Sequence, residues 1–541
     1  MSSTEPNRRR FLRDAGLTGA AVTGVLALGA APGRAATGRQ VAVLGGGVAG
    51  LSAAHELVDR GFEVTVYERD TLGGKARSIF PPGTGTGGRL DLPGEHGFRF
   101  FPGFYFNLTD NMRRTPFPGN ANGCWDNLTR ATAYLMSRSG GRADLTAPFP
   151  FPLPPQPSIY SLATLKATIV SGLQTLFRLP LTEAAFFAEK VAVYFSSCDE
   201  RRLGQWENIT WADYVRADWF SDEYNKFAAD GTIRNLAATK SKDASTHSVA
   251  FVAEATVWSI LGIGNEPGSS VDRVLNGSTA EKWLDPWVAH LRNLGVKFNV
   301  GHNVDALQVS GGKITGARVT GPGGAASTVT ADWYIVSMPC ERAVKLLSAD
   351  VLAADPSLSG IKSLRTDWMT GLQLFLKKQL PLAPGHVNYV DSNWAVTSIS
   401  QEQFWSRDFS TYGDGTVKDC LSTIISDWTK EGNFNNKKAR DCTPAEIAAE
   451  TWKEMKAHLN DTGTDVLTDD MLHSWFLDPA IVRSGTGVTN ETPLFIQQPG
   501  SWKLRPTSKT KIPNLFLAGD WVKTPINVTT MEGPTRAPAW R

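Results

Sequence analysis

Hydrophobic and polar positions near the start of the chain predict a strand, a helix and a second strand in close succession. Val41–Leu44 is a short apolar run, which suits a parallel strand buried on both faces. Leu51, Ala54 and Leu57 then recur with helical spacing, so that they share one face of a helix. The stretch EVTVYE alternates between polar and apolar residues and ends on Glu68. The pattern therefore predicts a β–α–β unit.

Similar patterns return in the middle and at the end of the chain. Leu284–Leu294 has the spacing of an amphipathic helix, and strands are predicted near Lys297–Asn299 and Ile314–Val319. Gly311-Gly312 is a hairpin turn signal. The apolar run that begins at Leu515 predicts a buried strand followed by a tight Ala-Gly-Asp turn. A plain core strand is an adequate explanation of the middle segment taken alone.

Three glycines after the first predicted strand point to a dinucleotide. Gly45 would form the tight turn, Gly47 would let the backbone approach a pyrophosphate, and Gly50 would let helix and strand pack closely. The helix that follows offers unpaired N–H groups and a partial positive charge to phosphates. Glu68, at the end of the second strand, is placed to accept hydrogen bonds from a ribose. Strand, glycines, helix and acid together predict dinucleotide binding.

Length and composition indicate a globular protein of more than one domain. The chain has 541 residues, of which 41% are hydrophobic and 20% charged. The formal net charge is +2, and the basic excess lies in the first 36 residues. The near-neutral remainder gives no electrostatic reason to expect nucleic acid as a partner. The five cysteines are widely spaced and include no Cys-x-x-Cys pair, so no metal site is expected; one disulfide and buried free thiols both stay open.

Residues 1–36 have the features of a targeting segment. A basic start precedes a modestly apolar stretch from about Ala15 to Ala31, and small residues follow. Arg8-Arg9-x-Phe11-Leu12 is similar to the twin-arginine motif of bacterial export. We therefore expect export to the periplasm, the cell envelope or the exterior, with a basic helix or a membrane anchor as the alternatives.

The stretch DTLGGKARS decides which dinucleotide to expect. It places Gly74, Lys75 and Arg77 just after Glu68 and Arg69. Here the sequence resembles the superfamily of FAD-dependent amine oxidases and carotenoid desaturases, in which a Gly-Gly-Arg turn holds the diphosphate. The resemblance implies FAD, although Lys75 stands where Arg is usual and would act as a point charge. A solvated glycine loop is the alternative.

The same resemblance implies roles for residues far from the glycine turn. IPNLFLAGDW matches the last strand of the superfamily, so Gly519 and Asp520 would lie beside the cofactor and Asp520 would contact its ribityl or diphosphate part. The turn at Met531 would begin a helix whose amides face the flavin. Val304 would meet the adenine through its backbone.

The resemblance also implies the fold. We expect an α/β protein with a Rossmann-like FAD-binding domain built from discontinuous segments, and a second α+β domain that caps the substrate. The FAD-binding domain would comprise residues 37–110, 284–350 and 501–541. Residues 111–283 and 351–500 would form the substrate-binding domain.

The C-terminal end departs from the superfamily pattern. Members continue past Met-Glu-Gly with a long helix, whereas here Gly533 is followed by PTRAPAWR, with Pro534 and Pro538. A one-base frame shift in GC-rich DNA would restore a family-like sequence. We therefore expect that the last FAD-packing helix is missing or altered.

One segment narrows the substrate class. Glu95-His96-Gly97 before an aromatic run resembles the flavin-facing segment of hydroxysqualene dehydroxylases and plant-type carotene desaturases. Glu95, His96 and Arg99 are therefore candidates for handling a proton or hydroxide, although His96 could equally be structural. The resemblance implies a small hydrophobic, isoprenoid-like substrate that is desaturated or dehydroxylated, and an apolar surface helix is compatible with peripheral membrane contact. A flavin amine or amino-acid oxidase that releases peroxide, and a catalytically inactive flavin-binding protein, are the alternatives.

Overall fold

The computed structural model describes residues 39–97, 99–148, 161–231, 234 and 239–536. These residues belong to one unit, Thr37–Arg541. The predicted leader lies outside the described residues, as does Pro538. The expectations of export and of a changed last helix beyond Arg536 therefore stay predictions.

A five-stranded parallel sheet joins distant parts of the chain. Its strands, in spatial order, are Leu515–Leu517, Trp333–Val336, Gln40–Leu44, Glu63–Glu68 and Lys297–Val300. The strand predicted from the first apolar run is central, which explains its burial on both faces. The α/β class and the Rossmann-like sheet of discontinuous segments are confirmed. All five strands end at one edge, where a ligand of such a sheet binds.

A mixed seven-stranded sheet forms a second layer. Its strands are Ala133–Ser137, Leu145–Pro148, Thr370–Leu376, Val387–Tyr389, Val396–Ser400, Asp419–Ile425 and Leu472–Leu477. Thr370–Leu376 and Asp419–Ile425 are buried at every position. The helix Pro444–Leu459, which begins with a capping box of Thr443 and Glu446, packs apolar side chains on this sheet. All seven strands come from the segments assigned to substrate binding, while the division into two domains stays a prediction.

The remaining elements are shorter. The hairpin of Asn303–Ser310 and Lys313–Thr320 turns at Gly311-Gly312, both with positive φ, as the sequence predicts, and Ala326–Val329 extends it. Short strand pairs are Arg365–Asp367 with Leu494–Ile496, Ile481–Ser484 with Gly487–Asn490, Ser78–Ile79 with Gly94–Glu95, and Leu128–Arg130 with Arg273–Leu275. The other α-helices of eight residues or more in the described part of the chain are Val48–Asp59, Asn107–Arg114, Leu162–Phe177, Leu181–Phe195, Thr246–Ile260 and Asp285–Asn293.

Two helices that follow one another along the chain begin with exposed leucines. Leu162 and Leu181 stand at the first positions of consecutive helices and are 48% and 59% exposed. Within the described part of the chain, none of the helices combines the length and apolarity that crossing a bilayer requires. Peripheral membrane contact stays a prediction.

The C-terminal segment caps a helix from the other end of the chain. The helix Asn107–Arg114 begins after Phe106, which provides no side-chain cap. The buried Glu532 carboxylate accepts hydrogen bonds from the backbone N–H of Asn107 at 3.0 Å and of Leu108 at 2.9 Å. A carboxylate is favoured there because helix N-termini carry a partial positive charge.

One of the two prolines near residue 536 lies in the first turn of a short helix. Pro534 lies inside the short helix Glu532–Arg536 and does not disrupt it. Proline is tolerated in the first turn of a helix, where its missing N–H has no intrahelical partner to lose.

Candidate active site

A cavity of about 760 Å³ opens at the carboxyl edge of the parallel sheet. Gly47, which follows one strand of that sheet, and Glu68, which ends another, line the cavity. Met136, Asn388 and Ile424 of the mixed sheet line it as well. The cavity therefore spans both layers. Pockets of this size and position hold cofactors and small substrates.

The structure brings together the residues predicted to bind the cofactor. The following line the cavity: Gly45, Gly47, Glu68, Arg69, Gly74, Lys75, Arg77, Val304, Gly519, Asp520 and Met531. Gly50 lies behind the lining. A Cβ at position 50 would stand 1.9 Å from the carbonyl oxygen of Gly45. Only glycine at this position therefore allows the close packing of helix and strand.

Two glycine loops lie side by side on the cavity wall. Gly73 donates its backbone N–H to the carbonyl of Gly46 at 2.8 Å, and Gly47 forms a parallel bridge with Gly73. A Cβ built on Gly47 would meet only the Cα of Gly74, at 3.8 Å. Gly47 also precedes the helix Val48–Asp59 without a side-chain cap. Backbone N–H groups of an uncapped helix start are therefore accessible to an anion.

Two carboxylates face the same cavity. Glu68 accepts hydrogen bonds from the backbone N–H of Gly46 at 2.7 Å and of Asp70 at 2.9 Å, which hold it beside the glycine loop. Burial raises the pKa of Asp520, and the positive charge of Lys75 acts in the opposite direction. Both carboxylates are placed to accept hydrogen bonds from hydroxyl groups of a ligand.

The basic side chains near the loops already have protein partners. The Lys75 ammonium lies 3.3 Å from a carboxylate oxygen of Glu341 and donates to the carbonyl of Pro493. Arg77 donates to the carbonyl of Gly74 at 2.9 Å. The diphosphate contacts implied by the resemblance therefore fall first to the backbone of the glycine loops.

These observations fit a dinucleotide. The glycine cradle leaves room for a pyrophosphate, the helix start offers N–H donors, and Glu68 and Asp520 offer acceptors for sugar hydroxyls. The model for proteins described as flavin containing amine oxidoreductases matches residues 48–536. The chain belongs to this family. Its cofactor is FAD, and the protein is a flavin-dependent oxidoreductase.

Individual relatives agree with this membership. The zeta-carotene desaturase of Synechocystis sp. is 25% identical over 525 residues, which cover 92% of this chain and 95% of that protein. The carotenoid phi-ring synthase of Chlorobaculum tepidum is 24% identical over 53% of this chain and 41% of its own length. The fold is similar to that of cyclohexylamine oxidase from Brevibacterium oxydans, with a TM-score of 0.56 at 16% identity, covering 92% of this chain and 97% of the oxidase.

The three candidate catalytic residues differ in whether they line the cavity. His96 and Arg99 line the cavity. Arg99 donates to the carbonyls of Gly97 at 2.5 Å and Lys75 at 2.8 Å, which orient its guanidinium.

Glu95 is not among the lining residues. Its carboxylate accepts hydrogen bonds from the Ser78 hydroxyl at 2.6 Å and the backbone N–H of Thr279 at 2.8 Å, at the start of the helical stretch Ala280–Asn293. Burial raises the pKa of Glu95, an effect that the charge of Arg99 opposes. These contacts favour a structural role for Glu95.

His96 is held by an acid that the sequence does not reveal. Its Nδ1 contacts the carboxylate of the fully buried Asp478, which also accepts from the backbone N–H of Ala480 at 2.8 Å. Burial would raise the pKa of Asp478, but the hydrogen bond and charge of His96 lower it overall. Burial lowers the pKa of His96 more than Asp478 raises it, so the imidazole is neutral at neutral pH.

A second polar cluster lies on the mixed-sheet part of the cavity. Its members, which also line the cavity, are Tyr134, Asp272, His386 and Asn388. The Nδ1 atom of His386 lies 2.8 Å from Asp272 Oδ2, and Tyr134 is hydrogen-bonded to Asn388. Apolar side chains line the same cavity, among them Met136, Phe177, Phe227, Val271 and Ile424. Sequence reasoning missed the cluster because its members are spread over nearly half of the chain.

The described residues include no candidate metal cluster and no disulfide. No group of three His, Cys, Asp or Glu side chains in that part of the chain could hold a metal ion. The five cysteines are free, and four of them are buried. Burial raises the pKa of the Cys124 thiol to about 12, which makes it a poor nucleophile.

We predict that Gly47→Val weakens FAD binding without unfolding the protein. The added Cβ would meet only the Cα of Gly74, at 3.8 Å, and the side chain would enter the cavity where the glycine loops meet. The expected result is a loss of at least about 1.4 kcal/mol of binding free energy, or tenfold in Kd, measured from bound-flavin absorbance.

Gly172→Val is the matched control, because Gly172 lies in the helix Leu162–Phe177 with nothing within 4 Å of an added Cβ. Its flavin content should equal that of the wild type. A Gly47→Val protein that purifies with a full complement of flavin would contradict this assignment of the cavity.

Proposed function

We propose that the protein oxidises or reduces a hydrophobic, isoprenoid-like substrate by desaturation or dehydroxylation. The observation that carries the proposal is the continuity of the cofactor cavity with the apolar wall of the mixed sheet. Met136, Phe177, Phe227 and Ile424 can cover a hydrocarbon chain, which gains free energy when it leaves water. The carotenoid desaturase among the relatives, which aligns over nearly the whole chain, supports the same class of substrate.

The chain's own residues position the reactants and manage protons. FAD, when bound, supplies the acceptor or donor of a hydride. The glycine loops, Glu68 and Asp520 would hold it at the carboxyl edge of the parallel sheet. The aromatic side chains Phe100 and Tyr105 help to exclude water from the cavity beyond them.

His96 is the best-placed proton acceptor. A desaturation removes a hydride from one carbon and a proton from its neighbour, and the proton needs a base. The neutral imidazole of His96 lines the cavity, and Asp478 fixes the ring through Nδ1, so that Nε2 is the nitrogen that can take the proton. Asp478 is then a positioning residue that also stabilises the imidazolium once it forms.

We predict that Asp478→Asn lowers kcat by about 100-fold while FAD stays bound. Loss of the carboxylate removes the interaction that raises the pKa of His96, so its pKa falls further. Activity is lost on acidification as the imidazole is protonated, and this acid limb of the pH–rate profile should therefore move to lower pH in the variant.

Asp414→Asn provides a matched control. Asp414 makes the same kind of contact at the surface, 3.3 Å from Nε2 of His473, and lies outside the cavity lining. Its kcat and pH profile should be those of the wild type. An Asp478→Asn enzyme with an unchanged acid limb would show that His96 is not the titrating base.

A substrate panel tests the proposed function directly. We expect the flavin-loaded protein to convert carotenoid or squalene precursors, detected by chromatography, and to release no peroxide with primary amines or amino acids. Peroxide release with an amine and no conversion of isoprenoids would identify an amine oxidase instead. Full flavin loading without turnover of either group would identify an inactive flavin-binding protein.

We also propose that residues 1–36 direct export of the folded protein by the twin-arginine route. The basic motif and the weakly hydrophobic stretch support this. Exchange of both Arg8 and Arg9 for lysine should retain full-length, flavin-loaded protein in the cytoplasm, as judged by cell fractionation. Arg34→Lys, in the same segment but outside the motif, should be exported normally; equal export of both variants would contradict the proposal.

A further inference from the structure

We propose that the substrate carries a hydroxyl group that donates a hydrogen bond to Asp272. The inference rests on the proposed isoprenoid function and narrows it to oxygenated isoprenoids. It concerns the polar cluster on the mixed-sheet part of the cavity, which a pure hydrocarbon could not use.

Asp272 is a buried acceptor with one oxygen still to be matched. The residue is 3% exposed and lines the cavity. One carboxylate oxygen, Oδ2, lies 2.8 Å from Nδ1 of His386. The other, Oδ1, accepts no hydrogen bond from any residue that the structure describes. A buried carboxylate oxygen left in this state is costly, so a donor on the ligand is expected there.

The backbone holds Asp272 in place. Its carbonyl accepts from the Ser270 hydroxyl at 2.7 Å and from the backbone N–H of Ala131 at 3.2 Å. The backbone of Asp272, from which the carboxylate extends, is therefore fixed beside the strand Ala133–Ser137. Such rigidity suits recognition of a ligand group.

Strand geometry directs the rest of the cluster to the same place. Val387–Tyr389 pairs in parallel with Ala133–Ser137, with Asn388 opposite Met136. Side chains two positions apart on a strand point to the same face, so Tyr134 joins Met136, and His386 joins Asn388. One polar corner thus interrupts an otherwise apolar wall. A ligand that fits it has an apolar body with one polar end.

Hydrogen-bonding capacity favours a hydroxyl over an ammonium. The acceptor Asp272 and the amide of Asn388 both line the cavity. An ammonium can only donate hydrogen bonds. A hydroxyl both donates and accepts, so that it can give a hydrogen bond to Asp272 and receive one from the Asn388 amide.

The test compares three probes on the flavin-loaded protein. Farnesol, its methyl ether and farnesylamine share one apolar chain and differ in the group at its end. Equilibrium dialysis should give farnesol a Kd about tenfold lower than that of the ether, because the ether cannot donate to a charged acceptor. Farnesylamine should bind more weakly than farnesol.

Two variants test whether Asp272 causes the preference for farnesol over its ether. In Asp272→Asn the advantage of farnesol over the ether should fall to about twofold, while the affinity for the ether stays the same. Asp470→Asn, an exposed carboxylate 67% accessible to solvent, should keep the full advantage. If Asp272→Asn does not fold, the comparison of the three probes on the wild type still decides.

The outcomes separate this inference from the function it rests on. Equal binding of farnesol and its ether to the wild type, a preference that survives in Asp272→Asn, or tightest binding of farnesylamine would each overturn the hydroxyl assignment alone. Failure of farnesol and its ether to bind would overturn the isoprenoid function itself. An equal loss of affinity for both in Asp272→Asn would mean that Asp272 is structural.

Discussion

Backbone pairing between three distant strands determines where the site can form. Trp333–Val336 lies between Gln40–Leu44 and Leu515–Leu517, in register and parallel to both. Hydrogen bonds continue past the strand ends, from the N–H of Ser337 to the Leu44 carbonyl and from the N–H of Ala518 to the Val336 carbonyl, each at 2.9 Å. Because of this pairing the first glycine turn and the Gly519-Asp520 turn end on one edge.

The histidines of two buried His–Asp pairs line the resulting cavity. His96 and Asp478 lie where the mixed sheet meets the glycine-loop segment, and His386 and Asp272 lie among the apolar side chains. Burying such groups is costly, so their retention in one cavity points to work on a ligand and not to stability. The pair of His96 and Asp478 suits movement of a proton, and the pair of His386 and Asp272 suits recognition of a ligand.

Short-range patterns explain why the cofactor half of the site could be predicted. Gly45, Gly47 and Glu68 act within one β–α–β unit, so spacing alone places them. Asp478 instead reaches His96 because Gly371, on the strand between them, donates to the His96 carbonyl at 2.9 Å and accepts from the Asp478 N–H at 3.1 Å. Contacts of this kind depend on pairing between strands hundreds of residues apart. No local pattern encodes them, and the substrate half was therefore anticipated only as an apolar cap.

The capping of Asn107–Arg114 by Glu532 has a consequence for the order of events in the cell. A ribosome makes the chain from its N-terminus, so the helix emerges long before its capping carboxylate. The edge strand Leu515–Leu517 also emerges long after the strands that it joins. The nascent chain thus lacks a complete nucleotide cleft until Glu532 has been made, and the cofactor can be loaded only after that point.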